Sequence, residues 1–159
     1  MAQYQLDSLD EKILQLISKN ARTPFLEVAR ECNVSGAAIH QRVQKLISVG
    51  VIKGSEFIID PVKIGYNTCA YMGIFLKDAN FFKEVVDELL KIPEVVECHY
   101  TTGKYAMFIK IYARNNSDFL SIIHDKLQSI KGIASTETLM SLGETFKRQI
   151  TVEGVADKE

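Results

Sequence analysis

ECNVSGAAIHQRVQKLISVGVIKGS, residues Glu31 to Ser55, contains no acid in the twenty-four positions after Glu31. The chain around it is nearly neutral, with 19 Lys and Arg against 20 Asp and Glu in 159 residues. A stretch without carboxylates in such a chain suits a surface that meets an anionic partner. Inside it Ser35 can cap a helix carrying Ile39, Val43, Leu46 and Ile47 on one side, stopped by Gly50. With Ile39, Val43 and Leu46 inward, 100° per residue puts Ala37, Gln41, Gln44 and Ser48 on the opposite face, flanked by His40 and Lys45. That face is small and polar.

Upstream, the same pattern continues in shorter pieces. Ser8 is the expected cap of a helix with Leu9, Ile13, Leu16 and Ile17 on one face, ending near Asn20. Thr23-Pro24 opens a second helix of barely two turns, with Phe25, Val28 and Ala29 apolar. Cys32, Asn33 and Val34 leave only a turn before Ser35. A packing helix followed by two short helices across a brief turn is a helix-turn-helix arrangement. Its exposed third helix then reads as a duplex reader. Gln41 and Gln44 can pair with adenine edges, Ala37 can touch a thymine methyl, and Lys45 can reach phosphate or guanine. Gly36 allows a close backbone approach at a cost of up to about 1 kcal/mol in helix stability. Arg42, nearer the apolar seam, is expected to extend outwards to a phosphate, as is Lys53.

Downstream the period changes to two. Val51-Ile52, a turn at Lys53-Gly54-Ser55, and Phe57 to Ile59 predict a small β-ribbon, or wing. Asp60-Pro61 to Tyr66 is the expected boundary, giving a DNA-binding domain with linker strand over 1–61 and a second domain over 62–159. The second part predicts a strand at Tyr71–Leu76, a helix at Phe81–Lys91, strands at Val95–Thr101 and Tyr105–Ile111, a helix capped by Ser117, and a strand at Ile133–Leu142. The order βαββαβ implies a ferredoxin-like α+β sandwich with both helices on one face. Tyr71, Phe75 and Tyr112 then supply apolar surface to the uncovered face, which calls for a partner sheet and hence a homodimer. Phe146 to Val152 is expected to add a last strand, and only the tail after Val152 reads as loose.

The function classes narrow accordingly. No apolar run approaches the roughly 20 residues of a membrane span, and the N-terminus has no secretory pattern, so a cytoplasmic protein without membrane partners is expected. Three dispersed cysteines, Cys32, Cys69 and Cys98, fit reduced thiols. Cys98-His99 is the only Cys/His neighbour pair, and strand alternation sends the two side chains to opposite faces, away from any shared chemistry. No phosphate-cradling glycine loop, HExxH or CxxC occurs, so neither catalysis, a metal site nor a cofactor is expected. The competing reading is a ligand-sensing module whose helical bundle binds protein instead of DNA, as near-zero net charge would allow.

Taken together, the sequence resembles the Lrp/AsnC, or feast/famine, transcription regulators over almost its whole length. Leu9-Asp10-Glu11-Lys12-Ile13-Leu14 resembles the family's opening LDxxIL, and Asn20-Ala21-Arg22 its short link. Val34-Ser35, Arg42-Val43 and Leu46 with Gly50-Val51-Ile52 resemble its recognition helix and exit, and Asp60-Pro61 to Gly65-Tyr66 its hinge. Val95-Val96-Glu97-Cys98 with Thr101-Thr102-Gly103 resembles the second strand and effector loop of its C-terminal domain. The resemblance implies a winged helix-turn-helix on a regulatory βαββαβ domain, dimers that often assemble to octamers, and a small effector, usually an amino acid. The matching effector positions are Thr101, Thr102, Gly103, Lys104, Tyr105 and Ala106 with Thr136, Glu137 and Thr138. Ala106 stands where the family commonly has Asp, which leaves Glu137 as the one acid among these positions that could meet an ammonium group.

Overall fold

The structure is a computed structural model that describes residues 4–154. It resolves into two units, residues 4–58 with 147–154, and residues 59–146. The first contains helices α1 (Ser8–Lys19), α2 (Phe25–Cys32) and α3 (Gly36–Ser48). Ile13, Val28, Ala29, Ile39 and Val43 are buried at their centre, with Leu9, Leu16, Phe25 and Ile52 packed around them. Helix α1 is capped by Asp7, not by the expected Ser8. The Asp10 amide donates to Asp7 Oδ1 at 2.8 Å, and the Asp7 amide donates to Asp10 Oδ2 at 3.4 Å, a reciprocal capping box. Ser35 does cap α3, accepting from the Ala38 amide at 3.2 Å. Between α2 and α3, Asn33 takes a left-handed conformation (φ 54°), and the Val34 amide closes the end of α2 on the Ala29 carbonyl at 3.0 Å.

Two further expectations for this unit do not hold. Ile47 is largely exposed, because it falls about 80° round the helix from Ile39, at the margin of the apolar stripe. The wing does not form within the chain. Val51 and Ile52 donate to the Leu46 carbonyl at 2.9 and 3.1 Å, so they close the C-terminus of α3 and have no strand partner. Residues 53–60 carry no ladder, and Phe57 and Ile58 (94% exposed) are exposed at the end of this unit, as is Ile59 at the start of the next. The Arg22 guanidinium lies 4.4 Å from the Phe57 ring centroid.

The second unit runs β1 (Thr68–Leu76), α4 (Phe82–Leu89), β2 (Val95–Tyr100), β3 (Met107–Ala113), α5 (Asn116–Ser121, continued by one π-helical segment Ile122–Leu127) and β4 (Ile133–Met140). The sheet is antiparallel in the order β2-β3-β1-β4, as a split βαβ duplication requires. Ala70, Met72 and Ile74 alternate towards one face, opposite Ile111, Ile109 and Met107 of β3, and are buried with Val85, Leu89, Phe119, Ile122 and Leu127 of the two helices. The α5 cap is Asn115, whose side chain accepts from the Asp118 amide at 2.9 Å; Ser117, the expected cap, lies inside the first turn. Phe146 to Val152 is not a strand. The ladder of β4 on β1 ends at Met140, and residues 147–154 cluster with the helical unit, where the Gly154 amide donates to Glu11 Oε1 at 2.7 Å. Residues beyond Gly154 of the tail read as loose lie outside the described residues. Among the described residues no helix is long and apolar enough to cross a membrane.

The other face of the sheet has no helix. Tyr71 stacks on Phe108 (centroids 5.8 Å apart, planes 12° apart), and Phe75, Tyr105 and Tyr112 are half-buried around them. Lys110 lies among these rings at only 5% exposure, 3.6 Å from Glu97 and 3.6 Å from Glu144.

Candidate functional site

Two sites emerge, one in each unit. In the helical unit, Ser35, Ala37, His40, Gln41, Gln44 and Lys45 are all exposed along α3, with Gly36 half-buried at its start. Because the Ser35 hydroxyl satisfies the Ala38 amide, the Gly36 and Ala37 amides keep the positive end of the helix dipole towards solvent. Gly36 has a neighbour within the protein: an added Cβ would sit 3.3 Å from Leu26 Cδ2. His40 is edge-on to Phe25 at 6.0 Å. The Lys45 ammonium hangs 5.2 Å from the Tyr4 ring centroid. Lys53 is exposed in the unpaired segment after α3.

Arg42 has other partners than solvent. Its Nη1 donates to Asp10 Oδ1 at 3.1 Å and to Asp7 Oδ2, so the two carboxylates of the α1 capping box hold it. Asp10 is 1% exposed and also accepts from the Tyr4 hydroxyl at 3.3 Å. Burial pushes the Asp7 carboxyl up, but the Asp10 amide and the Arg42 guanidinium outweigh that and hold it below its ordinary value. The phosphate role expected of Arg42 therefore competes with a pair already made. The sequence reading missed these partners, although the Asp7-x-x-Asp10 spacing is a visible capping signal.

In the sheet unit, Phe75, Leu76, Ala79, Phe82, Tyr100, Thr101, Gly103, Lys104, Tyr105 and Ala106 line an open cavity of about 340 Å³. Its loop is fixed at both ends: the Ala106 amide donates to the Ile74 carbonyl at 3.0 Å, and the Thr101 amide and hydroxyl donate to the carbonyls of Ala106 and Tyr105 at 3.2 and 2.8 Å. The Tyr105 ring lies flush on Gly73, where a Cβ would fall 2.4 Å from Cδ1. Its hydroxyl donates to Glu137 Oε2 at 2.7 Å, and Lys104 Nζ donates to both Glu137 oxygens at 2.6 and 2.8 Å. Those bonds, Lys104 first, hold the Glu137 carboxyl below its ordinary value and raise the Lys104 ammonium. Strand alternation divides the expected trio on β4. Glu137 pairs opposite Gly73 on the uncovered face, whereas Thr136 and Thr138 pair opposite Ile74 and Met72 on the helix side. None of Thr102, Thr136, Glu137 and Thr138 lines the cavity, and Glu137 reaches its rim only through Lys104 and Tyr105. The aromatic walls Phe82 and Tyr100, edge-to-face at 4.6 Å, were not legible beforehand, since they come from a helix and a strand far apart in sequence.

The remaining candidates hold no chemistry together. Cys98 and His99 pair opposite Ile109 and Phe108, on opposite faces of the sheet. Burial raises the thiols of Cys98 and Cys32, and the three cysteines are free. His124 meets Gln128 at 3.1 Å. Among the described residues no group of three or more His, Cys, Asp or Glu is placed to hold a metal ion.

These geometries can be set beside known proteins. Residues 6–47 match the model of the AsnC-type helix-turn-helix domain, and residues 69–151 match that of the Lrp/AsnC ligand binding domain. The chain is 43% identical to the regulatory protein AsnC of Haemophilus influenzae over 92% of its length and 98% of that protein. It is 34% identical to the HTH-type transcriptional regulator FL11 of Pyrococcus furiosus, over 86% and 89% of the two chains. The solved structure of Escherichia coli AsnC, 37% identical, superposes with a TM-score of 0.87 over 93% of this chain and 99% of that one. A Neisseria meningitidis transcriptional regulator solved as a complex with L-Met shares the fold at 21% identity and a TM-score of 0.84, over 91% and 94% of the two chains. With both domain models matched in order and relatives of this identity aligned nearly end to end, the chain belongs to the Lrp/AsnC family.

Proposed function

We propose that this protein is a sequence-specific DNA-binding transcriptional regulator of the cytoplasm, modulated by a small effector such as an amino acid. The observation that carries the reading is the outer face of α3: Ala37, Gln41, Gln44 and Ser48 exposed, with Lys45 and Lys53 beside them and no carboxylate from Cys32 to Ser55. Gln41 and Gln44 read base edges, Ala37 touches a methyl, Ser35, Gly36 and His40 lie at the backbone, and Lys45 and Lys53 hold phosphates. The relatives' names as regulators agree with a role that is not catalytic.

A homodimer completes the reading, with an octamer as its further assembly. The uncovered sheet face presents the half-buried rings of Tyr71, Phe75, Phe108 and Tyr112 around the Lys110 ammonium, and in the chain segment between the units Phe57 to Ile59 are exposed and unpaired. A two-fold protein then reads a two-fold site with half-sites one or more helical turns apart. In the sheet unit, Lys104 and Glu137 suit a zwitterion: an amino acid's carboxylate replaces Glu137 on Lys104 while its ammonium replaces Lys104 on Glu137, and its side chain enters the aromatic cavity. Ala106 then needs no acid.

The test is a gel-shift titration of salt against duplex DNA, followed by genome-wide capture of bound fragments with and without an amino-acid mixture. Binding that weakens steeply with salt and fragments that change with the mixture are expected. Absence of binding at low salt removes the DNA reading and leaves the protein-binding module; monomeric sedimentation at micromolar concentration removes the dimer.

A further inference from the structure

Arg42 stands one residue from a proposed base reader, Gln41, yet faces the protein. Ile39 and Val43 pack the inner side of α3 into the core of the unit, an apolar contact that limits rotation about the helix axis through side-chain shape, and a directional polar contact adds to that limit. With side-chain tips about 5–6 Å from the axis, a rotation of about 10° moves Gln41 and Gln44 by about 1 Å, enough to break a bidentate base pairing. The directional contact that opposes such rotation is the pairing of Arg42 with Asp7 and Asp10. Its anchor is firm: Asp10 is buried, sits in the first turn of α1, and is tied to the Asp7 amide and the Tyr4 hydroxyl.

We propose that Arg42 is a positioning residue which, through Asp7 and Asp10 at the start of α1, sets the azimuth of α3 and thereby the sequence discrimination of Gln41 and Gln44. It is not a phosphate ligand. The inference rests on the reading of α3 as the DNA-binding helix. Two further features fit it. Two carboxylates on one guanidinium leave no net positive charge there to attract phosphate. Asp7, Asp10 and Arg42 line a recess with Tyr4, Gln5, Lys45 and Val49, and none of Ala37, Gln41, Gln44 and Ser48 lines it.

The test uses the full-length chain and a duplex it selects from a random pool, compared with a scrambled duplex over a range of salt. Arg42→Gln is expected to lower the ratio of selected to scrambled affinity by about tenfold, with the slope of log affinity against log salt unchanged. Asp7→Asn keeps a side-chain acceptor for the cap but removes the charge facing Arg42. It is expected to lower the same ratio by about threefold, although losing an acid would by charge alone tighten binding to every duplex. A slope reduced by about 1 per subunit in Arg42→Gln, or an unchanged ratio in Asp7→Asn, overturns the proposal. If Arg42→Gln fails to fold by circular dichroism, the half-exposed Asp7→Asn decides alone. Failure of the unmodified protein to bind any duplex would overturn the DNA reading itself, and it is seen before any variant is made.

Discussion

Arg42 with Asp7 and Asp10, and Lys104 with Glu137, are both ion pairs joining segments distant in sequence, but they live in opposite surroundings. In the first, one carboxylate is buried at 1% exposure and takes part in a helix cap; in the second, Glu137 and Lys104 are 46% and 61% exposed. A buried carboxylate stripped of its cation leaves an uncompensated charge, which is why such pairs are costly to break. An exposed pair exchanges its partners for water or for another ion at little cost. The first pair is thus part of the fold, and the second is free to become part of a binding event.

Four substitutions break or sharpen that contrast, in descending order of effect. Met107→Asp puts a carboxylate with no cation into the core beneath α4 and α5. It is expected to cost about 3–5 kcal/mol or more and to unfold the sheet unit outright, where a disrupted dimer alone would leave the monomer folded; circular dichroism with sedimentation separates the two. Arg42→Ala leaves Asp10 buried without its guanidinium. Its expected cost is about 2–3 kcal/mol, and a melting temperature for the helical unit equal to that of the unmodified protein would mean that Asp10 is compensated elsewhere. Gly73→Ala forces the Tyr105 ring off the sheet, at about 1–2 kcal/mol, and should release the Tyr105 hydroxyl from Glu137 with loss of calorimetric amino-acid binding.

The smallest effect is expected at Glu137. Glu137→Gln should leave stability almost unchanged, as expected of a solvent-exposed ion pair, while abolishing calorimetric binding of amino acids; tight binding by this variant would show that the ammonium is held elsewhere. The carboxylate's folded pKa is depressed, so its contribution is present above the unfolded value of about 4.3 and is lost as pH falls through the folded value. An NMR titration of the Glu137 carboxyl should therefore show it ionising below the range of an ordinary glutamate, and titration at or above that range would contradict the pairing.

Much of this molecule is legible from residue order alone. Helix period, the Ser35 cap, the Gly50 stop and the alternation in Tyr71–Leu76 and Tyr105–Ile111 depend on neighbours within a few residues, and they predict the helix-turn-helix and the βαββαβ sandwich correctly. The α1 cap was also within reach, since Asp7 precedes Asp10 by three, but Ser8 is an equally good capping residue and local preference does not choose between them. The wing went wrong for a related reason: Val51 and Ile52 have strand propensity, yet the Leu46 carbonyl takes both amides, and without a partner strand an alternating pattern has nothing to pair with.

Tertiary structure decided the rest. Which cation meets which carboxylate, Arg42 with Asp10 or Lys104 with Glu137, depends on elements 32 and 33 residues apart coming together, and sequence spacing carries no such information. The face on which Glu137 emerges follows from its register against Gly73, fixed by the β1–β4 ladder, because a slip of one residue would have exchanged Glu137 for a threonine. The sequence by itself determined the kinds of element and their order, through short-range periodicity and capping; only packing determined which charges are structural and which remain available to a ligand, because burial is a property of the assembled chain.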